Sequence, residues 1–349
     1  MNVLDLVMIV GAFALILIGA ELFTNAVEWF GHKLGLGEGA VGSVLAAVGT
    51  ALPETTIPVV AILFTGGGSN DVGVGAILGA PFMLATLAIG VTGVVVLLAR
   101  NRRATGTTLA VDATVVGSDL QSFALAYLIA IGAAFLPANP TWPKLIVAVV
   151  LVLLYARYVK GHLDAEAALD AEGLNPLRLR RLDRGRADLI HDPRLRVVIL
   201  QMLLGLVAIV GGAIAFVSGV TDIARSAGLD EVLLALIVAP IATELPEAAN
   251  AVLWIRRGKD TLAIGNITGA MVFQASIATL VALVFAPTAW TFGPGTQLAF
   301  ASALIAFMSA GVVFLPMLRG RGLHARGLLL GGAFYVAYLA VVAFEISNG

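Results

Sequence analysis

Residues 40–64 read AVGSVLAAVGTALPETTIPVVAILF, an apolar run long enough to cross a bilayer with Pro53 and Glu54 in its middle. A carboxylate at that depth costs about 2.5–3.5 kcal/mol on insertion scales, so it must face a cavity, a cation or a partner. The proline removes one backbone N–H and displaces the carbonyl four residues earlier, that of Gly49. A carbonyl freed inside hydrocarbon needs water, protein or an ion. The pattern GTALPE at 49–54 returns as ATELPE at 242–247, where Pro246 precedes Glu247 and frees the carbonyl of Ala242.

The two motifs are offset by 193 residues, and the same offset aligns Gly35-Leu36-Gly37-Glu38 with Gly228-Leu229-Asp230-Glu231. Downstream, Gly75, Gly79 and Phe82 match Gly265, Gly269 and, approximately, Phe273 once about three extra residues near Gly66-Gly67-Gly68 are allowed. Self-similarity at one offset predicts a chain built of two halves.

The rest of the chain fits a membrane protein. Of 349 residues, 59% are hydrophobic and 12% charged, with a mean hydropathy of +0.98, whereas soluble domains carry about 25% charge. A water-soluble globule is excluded. The absence of cysteine excludes disulfides, thiolate metal sites, iron–sulfur clusters and cysteine nucleophiles. The first positive residue is Lys33, so the opening apolar run lacks the basic start of a cleaved leader and is expected to remain as a span.

Apolar runs between charged or Gly/Pro-rich breaks predict spans near 3–22, 40–64, 72–99, 113–136, 143–159, 197–219, 231–255, 261–286, 297–318 and 325–346. Outer-membrane strands are excluded, because they are about ten residues long and alternate in polarity. Nineteen of the 21 Lys and Arg residues fall on odd-numbered connections and their flanks; only Lys144 and Arg225 fall on the other side. The positive-inside rule then places both termini outside and the odd connections in the cytoplasm, in an inner membrane. Five spans per half is an odd number, so the second half must be inverted. The expected fold is an all-α integral membrane protein with ten transmembrane helices as two inverted five-helix repeats, 1–159 and 197–349, joined by a cytoplasmic linker at 160–196. Such symmetry characterises secondary transporters with a site at the midplane.

Glu54 and Glu247 occupy equivalent places and can meet near the centre. Two carboxylates with freed carbonyls make an oxygen-only site, suited to Ca²⁺ with about 6–8 oxygens and, with fewer, to Na⁺. No basic residue lies in the middle of a span, which disfavours anionic or organic substrates. An intramembrane enzyme is disfavoured too, because HExxH, GxSxG and Asp-rich prenyl-diphosphate motifs are missing.

On these motifs the sequence resembles the Ca²⁺/cation antiporter superfamily, specifically its prokaryotic sodium/calcium exchanger branch. That family carries a GTSLPE-like motif followed by a GNxxGSNxFN-like one. Here they read GTALPE with GAILGAPFML at 75–84, and ATELPE with GNITGAMVFQ at 265–274. The resemblance implies a Ca²⁺ site made by the carboxylates of Glu54 and Glu247 and the backbone carbonyls of Thr50 and Thr243. The family's Na⁺-site serines fall on Ala80 and Ala270, its first-repeat Asn on Leu84, and its second-repeat acid or amide on Gln274, which alone of these keeps a side-chain oxygen. Asn266 matches a family Asn that supports the site. Ala51 and Glu244 stand where the family commonly has small or hydroxyl residues.

Glu244 lies three residues before Glu247 and shares roughly one helix face with it. Two acids so placed in low dielectric do not both ionise cheaply, so Glu244 is expected to carry or gate H⁺, unless it points into a vestibule or pairs with a polar side chain. The expected activity is antiport that exports Ca²⁺ in exchange for Na⁺; the alternative is H⁺-coupled exchange, Ca²⁺/H⁺ or Na⁺/H⁺. No cofactor is expected beyond the transported ions. The expected partners are inorganic cations and the lipid bilayer, with neither nucleic acid nor a protein partner implied. Glu21 is expected to be structural or in a vestibule. Asp112 and Asp119 are expected at the interface that begins the fourth span. His32, His162, His191 and His324 are assigned to cytoplasmic connections, and residues 160–195 to a solvated linker.

Overall fold

The computed structural model describes residues 3–51, 55, 70–137, 139–164, 169, 174–183, 193–226, 244–293 and 296–348. Two helices of 32 residues, α1 (Val3–Leu34) and α6 (Leu195–Ser226), pack against each other. Glycine makes this possible. A Cβ on Gly19 would lie 2.8 Å from the Ile209 amide nitrogen, one on Gly205 2.7 Å from that of Phe23, and one on Gly212 3.0 Å from the Ala12 carbonyl oxygen. Without a hydrophobic drive between helices in lipid, such close backbone approach supplies the packing energy.

Helix α2 (40–51) begins with a π-helical stretch, Ala40–Ala46. Helix α3 (70–99) contains a π-turn at Leu84–Ala88. Next come α4 (Ala113–Ala133), α5 (Trp142–Asp164) and α7 (Leu245–Arg256). Helix α8 (260–285) has its π-turn at Gln274–Ala278, and α9 (Gln297–Leu318) and α10 (Ala325–Asn348) complete the order. The π-turns of α3 and α8 start 190 residues apart, the spacing that also relates Gly75 to Gly265. Among the described residues seven helices, α1, α3, α4, α5, α6, α8 and α9, are long and apolar enough to cross a membrane; α2 and α10 have shorter apolar stretches. Large apolar side chains such as Leu98, Leu128, Leu153 and Val207 face outward, as a lipid-bathed surface requires.

Helix α8 is the axis of the bundle: every residue from Asp260 to Phe273 is buried. Helix α2 crosses it at backbone distance. A Cβ on Gly42 would lie 3.1 Å from the Leu262 Cα, one on Gly265 2.6 Å from the Ser43 Oγ, and one on Gly269 would run into the Ser43 backbone. The glycines that mark the second half's motif are therefore the residues that let α2 approach α8.

Two expectations change. Helix α1 runs to Leu34 rather than 22, because its polar second half finds partners. Asn25 donates to the Asn175 carbonyl at 3.1 Å and accepts from the Arg178 amide at 3.1 Å, and Glu28 accepts from Trp254 Nε1 at 2.8 Å and Lys259 Nζ at 2.5 Å. The connection after α5, expected to be solvated, folds back at 174–183: Leu177 is fully buried against Trp29, Val197 and Val198. Arg178 of this segment and Arg257, just after α7, both pair with Glu21 at 2.5 Å, which gives that acid the structural role expected of it. The described residues are otherwise helical, as expected, and one short ladder joins two connections. Strands β1 (Thr108–Leu109) and β2 (Leu323–His324) pair antiparallel, Thr108 opposite His324. At the other end of the bundle Lys144 is buried, donating to the carbonyls of Pro287 at 2.6 Å and Trp290 at 2.7 Å.

Candidate functional site

Helix α7 starts at Leu245 with Pro246 in its first turn. At that position the missing N–H costs no hydrogen bond within Leu245–Arg256. Glu247 follows in the same turn, where the helix dipole favours an anion. It is fully buried, and neither carboxylate oxygen has a hydrogen-bond partner among the described residues. Thr50 of α2 is its polar neighbour, but the Thr50 hydroxyl is turned to the Ala46 carbonyl at 3.1 Å and to Asn266 Oδ1 at 3.4 Å.

Two amides extend the deficit. Asn250 lies one turn further along the face of Glu247, fully buried, with neither Nδ2 nor Oδ1 bonded. Asn266 Nδ2 is likewise buried without a partner. Buried polar atoms are nearly always paired, and an unpaired one costs about 1–3 kcal/mol, more for charged groups. A carboxylate whose two oxygens are unmet, with an amide and a hydroxyl close to it, is an electron-rich oxygen set that fits a hard cation as cargo.

Of the remaining expected ligands, Gln274 is 1% exposed and sits where α8 enters its π-turn. Glu244 is 2% exposed, at the lip of α7, within electrostatic reach of Tyr335 on α10. Burial removes the open vestibule as its location. Glu54 and Thr243 lie outside the described residues. Ala51 and Ala270 are both fully buried. Asn250 was missed in the sequence; the available signal was a mid-span amide on the Glu247 face.

Of the two acids assigned to the interface that begins the fourth span, one lies elsewhere. Asp119 of α4 is fully buried, and its Oδ2 accepts from Ser43 Oγ at 2.8 Å and Thr268 Oγ1 at 2.5 Å. Its Oδ1 accepts from the Tyr158 hydroxyl at 3.0 Å and pairs with His162 Nε2 at 2.8 Å. His162 is therefore a buried member of α5, not part of a connection. The carboxylate ties α2, α4, α5 and α8 together, which explains why it tolerates burial: every acceptor position is filled. Asp112, in contrast, is exposed and caps α4, accepting from the Thr114 amide at 2.7 Å. His32 Nδ1 donates to the Leu169 carbonyl at 2.7 Å, His324 lies in β2, and His191 is outside the described residues. Asp119→Ala is expected to cost about 3–5 kcal/mol by breaking the pair with His162 and leaving Ser43 Oγ without this acceptor, read as a lower melting temperature of the detergent-solubilised protein. Asp119→Asn, which keeps the shape, should lose less.

Comparison with known proteins follows the same lines. A sequence profile of the family described as sodium/calcium exchanger protein matches residues 4–160 and 197–347, leaving out only the chain's ends and the segment between α5 and α6. The Inner membrane protein YrbG of Escherichia coli is 23% identical over 328 residues, 92% of each chain. The putative antiporter CaxA of Alkalimonas amylolytica is 34% identical over 86 residues, 25% of this chain and 27% of that one. Solved structures of the sodium-calcium exchanger NCX_Mj share the fold, with a TM-score of 0.72 at 17% identity over 97% of this chain and 99% of that one.

Proposed function

This chain belongs to the sodium/calcium exchanger protein family, and from its being a membrane cation antiporter we propose that it exports Ca²⁺ in exchange for inward Na⁺ by alternating access. The observation that carries this reading is Glu247, buried with both carboxylate oxygens unmet beside Asn250 and the Thr50 side chain. We place Ca²⁺ between the carboxylates of Glu247 and Glu54, whose two charges neutralise it, with the carbonyls of Thr50 and Thr243 completing an all-oxygen shell. Gln274 and Glu244 flank it as ligands for the counter-ion. Na⁺ binding at the same carboxylates excludes Ca²⁺, so that the two ions take turns.

The matching π-turns 190 residues apart support two structurally related halves. With five spans each, the halves are opposed in the membrane, and the site falls where they meet. The glycine-packed pair α1 and α6 moves against the remaining helices to open the site to either face. The arginine-rich connections face the cytoplasm, both termini lie outside, and the membrane is the inner one.

A second reading, H⁺-coupled exchange, is favoured by one feature: the burial of Glu244 three residues from Glu247. The test is Ca²⁺ uptake into proteoliposomes under an outward Na⁺ gradient and, separately, an outward H⁺ gradient at matched membrane potential. Uptake under Na⁺ is expected, with a pH dependence that Glu244→Gln removes. Uptake under H⁺ alone would replace Na⁺ by the proton, and no uptake under either would overturn Ca²⁺ as the cargo.

A further inference from the structure

Where α3, α9 and α10 end on the arginine-rich face, a pocket of about 500 Å³ opens, remote from Glu247 and Thr50. Its inner wall is apolar, made by Leu97, Val313 and Pro316; its rim is basic, made by Arg100, His324 and Arg326. All three rim residues are exposed, and among the described residues neither Arg100 nor Arg326 has an ion-pair partner. Arg102, Arg319 and Arg321, also exposed, follow in the adjoining turns. Two acids beside the neighbouring Arg103 and at the start of α4 are engaged elsewhere. Asp260 is held by Arg103 through two contacts of 2.8 and 2.6 Å, and the Asp112 carboxylate caps α4.

Two features of the backbone arm this rim. Helix α10 begins at Ala325, so its N-terminal turn, with Arg326 and Gly327, borders the pocket. A helix start offers amide donors and the positive end of its dipole. The β1–β2 pairing sets His324 beside Thr108, Nδ1 to Oγ1 at 3.1 Å. With the Thr108 hydroxyl donating, Nε2 carries the ring proton and is a donor at the rim.

We propose that this pocket binds the phosphate head group of an anionic phospholipid from the adjoining leaflet. The phosphate is gripped by the Arg100 and Arg326 guanidinium groups, whose planar forks match it in a way a lysine cannot. The helix start and His324 supply further donors, and the acyl chains descend along Leu97, Val313 and Pro316. Basic side chains at the membrane surface with an apolar wall directly below them fit a ligand with both characters. A bound lipid braces α3, which carries a π-turn, against α10, which carries Tyr335 beside Glu244.

The test is native mass spectrometry of the full-length protein, delipidated and titrated with phosphatidylglycerol or phosphatidylcholine. The wild type is expected to bind phosphatidylglycerol at least tenfold more tightly. Arg100→Gln and Arg326→Gln should each weaken it about fivefold, and the double variant about 25-fold, at roughly one basic residue's worth of surface attraction apiece. Arg196→Gln, which removes the same charge from an exposed site elsewhere, should change nothing. Circular dichroism confirms that each variant is folded, and His324→Asn gives an independent loss should the double variant fail. Equal binding of the two lipids, or an equal loss in Arg196→Gln, would overturn the site. Displacement of the lipid by inorganic phosphate at comparable concentration would overturn the lipid and leave a soluble anion as the occupant.

Discussion

Replacing Glu247 by Gln is expected to reduce Ca²⁺ transport to background, a loss of at least about a hundredfold, in a protein that still inserts and folds. Gln keeps the volume and one oxygen but removes the charge that balances a divalent ion in a medium where an unbalanced charge costs several kcal/mol. The stability change distinguishes this from damage. Among the described residues nothing hydrogen-bonds the buried Glu247 oxygens, so neutralising them relieves a desolvation cost. The melting temperature without Ca²⁺ should stay level or rise, while the stabilisation that Ca²⁺ gives the wild type by binding the folded state disappears. Glu54→Gln is expected to behave alike in the uptake assay. Full flux in the Glu247 variant would remove that residue from the site, and a lower melting temperature without Ca²⁺ would assign it a structural role.

Gly269→Ala is expected to be the most damaging single-methyl change in the chain. The added carbon would run into the Ser43 backbone, which cannot swing aside as a flexible side chain can. Relief requires α2 to part from α8, and overpacking of that kind costs about 1–3 kcal/mol and occasionally more. The same separation draws Thr50 from Asn266 and Ser43 from Asp119, so transport should fall with stability. Gly132→Ala in α4 is the matched control. Nothing lies within 4 Å of its added carbon, and alanine in a helix should stabilise by about 0.4–1 kcal/mol. Melting curves of the two variants in one detergent should therefore move in opposite directions; an unchanged melting temperature for Gly269→Ala would contradict the crossing geometry.

What was legible in the sequence followed periodicity and depth. Apolar runs of helical length located the long spans, and a mid-span glutamate beside a proline marked Glu247. Gly265 and Gly269 stood out because they recur at the same spacing as Gly75 and Gly79, although their task, admitting α2, needed the fold to be seen. What was hidden depended on partners far along the chain. Asn25 and Glu28 look like the end of a span until Arg178, Trp254 and Lys259 meet them. Asp119 looks interfacial because hydropathy assigns a cost to a lone carboxylate and cannot see four donors converging from three other helices. Asn250 carries no motif; its place one turn after Glu247 is its one sequence signal, and its buried amide, unmet among the described residues, is what the fold adds.

The length of α1 and α6 has a consequence for the membrane around them. Thirty-two residues of helix measure about 48 Å, against a hydrocarbon layer of about 30 Å, and both helices carry this excess. Gly19, Gly205 and Gly212 lock them together, so one cannot slip past the other to shed it. The excess of α1 is its polar half, which Arg178, Trp254 and Lys259 engage, so the pair stands proud of the hydrocarbon as a unit. Whatever displaces one of these two helices is therefore carried to the other, and the pair behaves as a single post in the membrane.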